Sequence, residues 1–241
     1  MEITSVNNER IKELSKLQIK KYREEYKLFL IEGDHLIYEA YKAGYLKEIY
    51  TTDIDKYDYT DINVIKVSED VLKKLSEQSS STDAVGVCNF IEEKLDNNHN
   101  LLILDEVQDP GNLGTIIRSA VAFDFDILLG DNTVDIYNSK TIRSTEGMLF
   151  HVNYVKDNIE KFIDNNKTYI YYVADMDKGT NLKDLDLNHK LAIIMGNEGN
   201  GVSQLLKEKV NNFVHIGQSD NCESLNVGVA SSIIMYKVGD K

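Results

Sequence analysis

The stretch Leu101-Leu-Ile-Leu-Asp-Glu-Val-Gln-Asp-Pro-Gly-Asn-Leu-Gly-Thr-Ile-Ile-Arg-Ser-Ala120 decides the fold. Four consecutive apolar residues read as a strand buried on both faces. The only proline of the chain breaks the segment that follows, and Leu113, Ile116 and Ile117 then recur at helical spacing. The predicted unit is therefore strand, turn and helix, the building block of a parallel α/β sheet. Asn112 and Gly114 fall at the helix start, where free backbone N–H groups favour anions, and Arg118 lies within the helix. Taken alone, the segment equally suits a tight turn with a capping Asn and a surface Arg.

Toward the carboxyl terminus the pattern repeats. Asp126–Leu129, Tyr169–Val173, Leu191–Met195 and Phe213–Ile216 are further apolar runs, with helices predicted over 112–123, 158–164, 202–210 and 224–238. Such a doubly wound α/β sheet binds its ligand at the carboxyl ends of the strands. Two more strand ends have unusual sequences. Ile193-Ile-Met-Gly-Asn-Glu-Gly-Asn-Gly-Val-Ser203 sets Gly196, Gly199 and Gly201 around Glu198. A carboxylate there repels phosphate, so the loop suits a neutral or cationic ligand, or no ligand. Ile216-Gly-Gln-Ser-Asp-Asn-Cys-Glu-Ser-Leu-Asn-Val227 brings Ser224, Leu225 and Asn226 to the start of the last helix, where Ser224 also suits a plain N-cap. No histidine is placed by sequence to activate Cys222 as a nucleophile.

Toward the amino terminus the reading is a smaller α/β unit. Helices are predicted over Asn8–Leu17, from Gly33-Asp34 to Gly44, and over Glu69–Leu75; strands over Leu28–Ile31, Glu48–Thr51, Asn63–Val67 and Ala84–Cys88. The polar run Gln78–Asp83 reads as a loop and Glu92–Asn100 as a linker. The expected domains are 1–95 and 96–241.

The chain has 241 residues and a net charge of −13, which argues against a broad basic surface for nucleic acid. Residues 1–30 are the exception, with seven cations against five anions. No apolar run is long enough to span a bilayer and the first ten residues lack a signal-peptide core, so a cytoplasmic protein without a membrane partner is expected. Cys88, Cys222 and five scattered histidines offer neither a disulfide framework nor metal-ligand spacing, and no metal is expected.

Together the three junctions resemble the motifs of the SpoU (TrmH) family of RNA 2′-O-ribose methyltransferases, in the SPOUT superfamily. The resemblance is carried by Asn-x-Gly-x-x-x-Arg at Asn112, Gly114 and Arg118, by Met-Gly-Asn-Glu-Gly-x-Gly from Met195 to Gly201, and by Glu-Ser-Leu-Asn-Val from Glu223 to Val227. Ile3-Thr-Ser5, Asn7, Arg10-Ile-Lys12 and Phe29-Leu-Ile-Glu-Gly33 look like the family's L30e-like substrate-binding domain.

This resemblance implies a carboxyl-terminal domain tied in a deep trefoil knot, with S-adenosylmethionine bound in it. Gly196, Ile216 and Leu225 would hold the cofactor largely through backbone groups, flanked by Met195, Asn197 and Gly217. Arg118 is implied at the ribose hydroxyl, with Asn112, Glu198, Ser224 and Asn226 organising the site. A guanidinium stays protonated in proteins, so Arg118 is better read as a positioner than as a base. Relatives are dimers, and the small residues Val229, Ala230 and Ser231 suit such packing. Where relatives often carry Ile-Pro-Met, this chain has Ile216-Gly217-Gln218, which implies a looser loop. The implied substrate is ribosomal RNA, with transfer RNA or a non-catalytic assembly role as alternatives. A nicotinamide-dependent oxidoreductase is disfavoured, since the Gly-x-Gly-x-x-Gly fingerprint is absent after Leu104.

Overall fold

The computed structural model describes residues 2–77, 82–96 and 98–239. Most of the loop expected over Gln78–Asp83 lies outside the described residues. In chain order the elements are β1 (Glu2–Ile3), α1 (Glu9–Ser15), α2 (Lys20–Tyr26), β2 (Leu28–Glu32), α3 (Asp34–Lys42), β3 (Leu46–Thr51), β4 (Asn63–Val67), α4 (Glu69–Leu75) and β5 (Ala84–Asn89). They continue with β6 (Asn100–Leu104), α5 (Pro110–Ala122), β7 (Phe125–Leu129), α6 (Ser139–Ser144), β8 (Tyr154–Lys156), α7 (Ile159–Asn165) and β9 (Ile170–Asp175). The last are β10 (Thr180–Asn181), β11 (Leu191–Met195), α8 (Gln204–Lys209), β12 (Phe213–His215) and α9 (Val227–Gly239).

The chain divides into two units, one of Met1–Glu92 with Tyr137–Phe150, the other of Glu93–Ile136 with His151–Lys241. The first unit has a mixed sheet in the order β1-β4-β3-β5-β2. Ile11, Leu14 and Leu17 pack with Val71, Leu72 and Leu75 of α4 to form its core. The sequence boundary at residue 95 assigns 137–150 to the second domain, whereas the structure groups them with the first. Aromatic packing accounts for this: the Tyr137 ring stacks on Phe90 at 4.0 Å and lies 4.7 Å from Phe29, and its hydroxyl accepts from Ile91 N–H at 2.9 Å.

Two expected surface cations are already engaged inside this unit. Arg23 is only 6% exposed and donates to the carbonyls of Leu17 (2.8 Å) and Gln18 (3.0 Å). Arg10 Nη2 donates to both carboxylate oxygens of Glu48, at 3.0 and 2.8 Å.

The second unit carries a seven-stranded sheet, β10-β12-β9-β11-β6-β7-β8, in which every pairing is parallel. Every residue of β6, β7 and β11 is buried, which is why these strands read as nearly continuous apolar runs. Leu101, Ile103, Tyr171, Val173, Ala192 and Ile194 share one face with residues of α7 and α8. Leu102, Ile127 and Ile193 alternate to the other face, and α5, packed beside β7 and against α9, brings Leu113, Ile116 and Ile117 into the core. Leu102→Ala should therefore cost about 2–5 kcal/mol, read as a lower denaturant midpoint.

The segment expected as a linker is fastened to this sheet. Asp126 of β7 is fully buried and accepts from Asp96 N–H, from His99 Nδ1 at 2.9 Å and from Asn153 Nδ2 at 3.1 Å. Burial pushes its carboxyl above the ordinary range, and these donors oppose that rise.

Two expected caps are corrected. Asp109, not Asn112, caps α5, accepting from Asn112 N–H at 2.9 Å, with Pro110 in the first turn. The last helix begins at Val227 rather than Ser224. Its start is capped by Asn226 Oδ1, which accepts from Gly228 N–H at 2.9 Å and Val229 N–H at 3.2 Å. Ser231 faces the interior and is fully buried, so it does not share an exposed face with Val229.

Candidate active site

Parallel register delivers four strand ends to one edge of the large sheet. Leu104 lies beside Met195, Ile194 beside Val173, and Val214 beside Ala174. A cleft of about 510 Å³ opens at that edge. It is lined by the loop from Met195 to Val202, by Ala174–Met176 at the end of β9, by Ile216 and Gln218 after β12, and by Ser224–Val227 with Ala230 and Ile234.

Eight of the eleven residues expected at the site line this cleft, namely Met195, Gly196, Asn197, Glu198, Ile216, Ser224, Leu225 and Asn226, and Asn112 stands behind the lining, bonded to Glu198 and Asn226. Gly217 does not line it. It packs toward Asn181, whose side-chain nitrogen would lie 2.9 Å from a Cβ at that position, and the next residue, Gln218, lines the cleft instead. Arg118 is also absent from the lining. It stands exposed on α5 without a hydrogen bond or ion pair among the described residues. Sequence reading missed Ala174, Asp175 and Met176, although they directly follow the apolar run from Tyr169 to Val173, at the edge where an α/β sheet holds its ligand. Partial burial tends to raise the Asp175 carboxyl, but backbone N–H groups of Asp177, Lys178 and Met176 outweigh it and hold it below the ordinary range.

The glycine loop folds back on itself. Asn197 N–H donates to Gly201 O at 3.0 Å and Gly201 N–H returns to Asn197 O at 2.9 Å, with Gly201 at φ 66°. The Asn197 side chain completes the turn, accepting from Gly199 N–H (2.9 Å) and Asn200 N–H (3.1 Å) and donating to Glu106 O (2.9 Å). Its side chain thus shapes the loop.

A hydrogen-bonded chain joins the three motifs. Glu198 Oε1 accepts from Asn112 Nδ2 at 2.9 Å and Asp109 N–H at 3.0 Å, and Oε2 accepts from Gln108 N–H at 3.1 Å. Asn112 Oδ1 accepts from Asn226 Nδ2 at 2.9 Å, and Asn226 caps α9. The anion expected at the start of α5 is therefore the protein's own Glu198. Partial burial works to raise this carboxyl, and the donors Asn112, Asp109 N–H and Gln108 N–H outweigh it, leaving Glu198 more acidic than an ordinary glutamate.

A depressed folded-state pKa stabilises above the unfolded value and is lost as pH falls through the folded one. Glu198 thus holds the loops throughout the neutral range. Glu198→Gln should weaken cofactor binding by a factor constant between about pH 6 and 9 and narrowing only below about pH 4.5. Titration calorimetry across pH checks this; a ratio that changes near pH 7 would contradict a Glu198 that stays charged through the neutral range.

The cleft fits a nucleoside-bearing ligand: Ile216, Leu225 and Ile234 offer apolar walls, and the glycine loop offers backbone polar groups without side chains in the way. Among the described residues no group of His, Cys, Asp and Glu could hold a metal ion, and no helix is long and apolar enough to cross a membrane.

Residues 99–236 match the SpoU rRNA Methylase family, and residues 8–86 match an MRM3-like substrate binding domain. The chain is 38% identical, over 98% of each sequence, to the 23S rRNA (guanosine(2553)-2′-O)-methyltransferase RlmP of Bacillus subtilis. Its structure is similar to the AdoMet-bound rRNA methyltransferase from Sinorhizobium meliloti, with a TM-score of 0.87 and 26% identity over 99% of this chain and 97% of that one. The fold is shared with the SpoU methyltransferase AviRb from Streptomyces viridochromogenes, with a TM-score of 0.83 and 21% identity over 97% of this chain and 98% of that one.

Proposed function

The chain belongs to the SpoU rRNA methylase family, and from that premise we propose that it methylates a ribose 2′-OH of ribosomal RNA, using S-adenosylmethionine, in the cytoplasm. The observation that carries this reading is the chain Glu198–Asn112–Asn226, which ties the three motif segments around one cleft. When bound, S-adenosylmethionine supplies a methyl group on a cationic sulfur. Everything else in the reaction falls to the protein: holding the loops, presenting the ribose oxygen in line, and letting its proton leave.

Gly196, Ile216 and Leu225 hold the cofactor, with Met195 beside them. Glu198, Asn112 and Asn226 fix the loops to the starts of α5 and α9, and Ser224 stands exposed at the cleft mouth toward the RNA. Arg118 clamps the RNA backbone near the reacting hydroxyl and leaves proton removal to solvent, because its guanidinium remains charged. The carboxyl-terminal part, 96–241 without the segment 137–150 that packs with the other unit, is the methyltransferase domain, its chain threaded as a trefoil knot, and 1–95 is an L30e-like RNA-binding domain.

The enzyme works as a homodimer. Val229, Ile233 and Tyr236 form an exposed apolar stripe on α9, spaced to lie on one face, and α9 packs against the helix that bears Arg118. A second copy covering this stripe brings each Arg118 toward a neighbouring cleft.

Nucleoside mass spectrometry on unmodified ribosomal and transfer RNA, after incubation with methyl-labelled S-adenosylmethionine, tests the proposal. A labelled 2′-O-methylnucleoside in ribosomal RNA is the expected result. Label confined to transfer RNA would change the substrate, and an absence of label in both, with cofactor binding intact, would overturn the catalytic reading.

A further inference from the structure

We infer that the groove between α1 and α4 is a docking site for the phosphodiester backbone of RNA, a reading that rests on RNA being the substrate. The groove is open, about 740 Å³ in volume, and is lined on one side by Lys12, Ser15 and Lys16 and on the other by Lys73, Lys74 and Asp70. Four ammonium groups thus face one carboxylate, on a chain whose overall charge is −13. Local balance, not total charge, decides where a polyanion settles.

These cations are available, unlike several of their neighbours. Arg10 and Arg23 are engaged within the fold, and Lys20 pairs with Glu24 at 3.9 Å. Lys12, Lys73 and Lys74 are exposed and have no ion pair among the described residues, while Lys16 lies 5.6 Å from the Tyr22 ring, a contact that leaves its charge intact.

The two walls are held at a fixed spacing. Ile11, Leu14 and Leu17 pack beneath them against Val71, Leu72 and Leu75. The Gln18 amide donates to the carbonyls of Lys74 (3.2 Å) and Leu75 (3.3 Å), closing the end of α4 onto the turn after α1. Because the lysine stems start from braced helices, less ordering accompanies binding. Lysines without a bidentate fork or a base-reading amide contact phosphate as point charges. The site therefore positions RNA without reading its sequence.

The test replaces Lys12, Lys16, Lys73 and Lys74 together by alanine, a residue well tolerated in helices. Its control replaces the exposed Lys47 and Lys66 on the strands of the same unit. Binding to an unmodified large-subunit ribosomal RNA transcript, and to an unrelated RNA of equal length, is measured against salt without cofactor. The fourfold variant should bind both RNAs on the order of 10- to 100-fold more weakly, with a log–log salt slope shallower by about 3. Each pair, Lys12/Lys16 or Lys73/Lys74, should produce about half the logarithmic loss, and Lys47→Ala/Lys66→Ala a much smaller one. An unchanged slope in a variant that melts like the wild type would overturn the groove, as would an equal loss in the control. Since binding is read without turnover, these results stand apart from whether the protein methylates RNA.

Discussion

Arg118→Ala should slow methyl transfer at least about 100-fold while leaving S-adenosylmethionine affinity within a few-fold of wild type. The expectation follows from where the side chain stands. Arg118 is exposed on α5, outside the lining of its own cleft, and bonded to nothing described in its own chain. Its removal takes nothing from the cofactor pocket. If a second copy meets the Val229–Ile233–Tyr236 stripe, Arg118 serves the neighbouring site, and two dead variants should then repair each other. Coexpressed with a copy that cannot bind cofactor, Arg118→Ala should recover about one quarter of wild-type activity, because half of randomly paired dimers are mixed and each mixed dimer holds one complete site. No recovery, with mixed dimers confirmed by mass, would place Arg118 in service of its own cleft. A cofactor affinity reduced more than about tenfold would make it a pocket residue.

The sequence made some of this architecture readable and hid other parts, and burial explains which. β6, β7 and β11 are buried on both faces, so apart from the hydrogen-bonded Asn100 and Asp126 their residues are apolar, and the strands stood out. β1 and β10 have two residues each and β8 has three, too short for any period to register. α2, Lys-Lys-Tyr-Arg-Glu-Glu-Tyr, has no apolar stripe because its single buried residue is Arg23, held by backbone carbonyls rather than by a hydrophobic face. The candidate site was legible in its glycines and polar residues, whose types are costly elsewhere in a packed sheet. Its wiring was not. Asn112 and Glu198 are 86 positions apart and Asn112 and Asn226 are 114 apart, so only the fold brings them within hydrogen-bond reach. The same distance concealed that Glu198 answers the start of α5 instead of facing a ligand charge.

The glycine loop separates three effects that sequence alone treats as one, and Gly196→Ala should give the largest. A Cβ at Gly196 would lie 2.1 Å from both Gly201 C and Val202 N, backbone atoms that cannot turn aside as a flexible side chain would. The reciprocal Asn197–Gly201 bonds must open to admit it, and the cleft wall from Met195 to Val202 moves with them. Cofactor affinity should fall at least about 100-fold, each factor of ten corresponding to about 1.4 kcal/mol of lost binding. Gly201→Ala meets a different obstacle. Its surroundings are open, with nothing nearer than the Lys207 ammonium nitrogen at 4.0 Å, but its φ of 66° is left-handed and an alanine there costs about 1–2 kcal/mol. That corresponds to roughly 5- to 30-fold in affinity if the strain falls wholly on the bound form. Gly199→Ala should be nearly silent, since its Cβ would sit 3.6 Å from Asn197 Oδ1, an ordinary contact. The order Gly196 above Gly201 above Gly199 is thus a statement about the shape of the loop. Calorimetry with S-adenosylmethionine on the three variants measures it directly. If Gly196→Ala bound as well as Gly199→Ala, the folded-back loop could not be the form that holds the cofactor, and the wall of the cleft would have to be built another way.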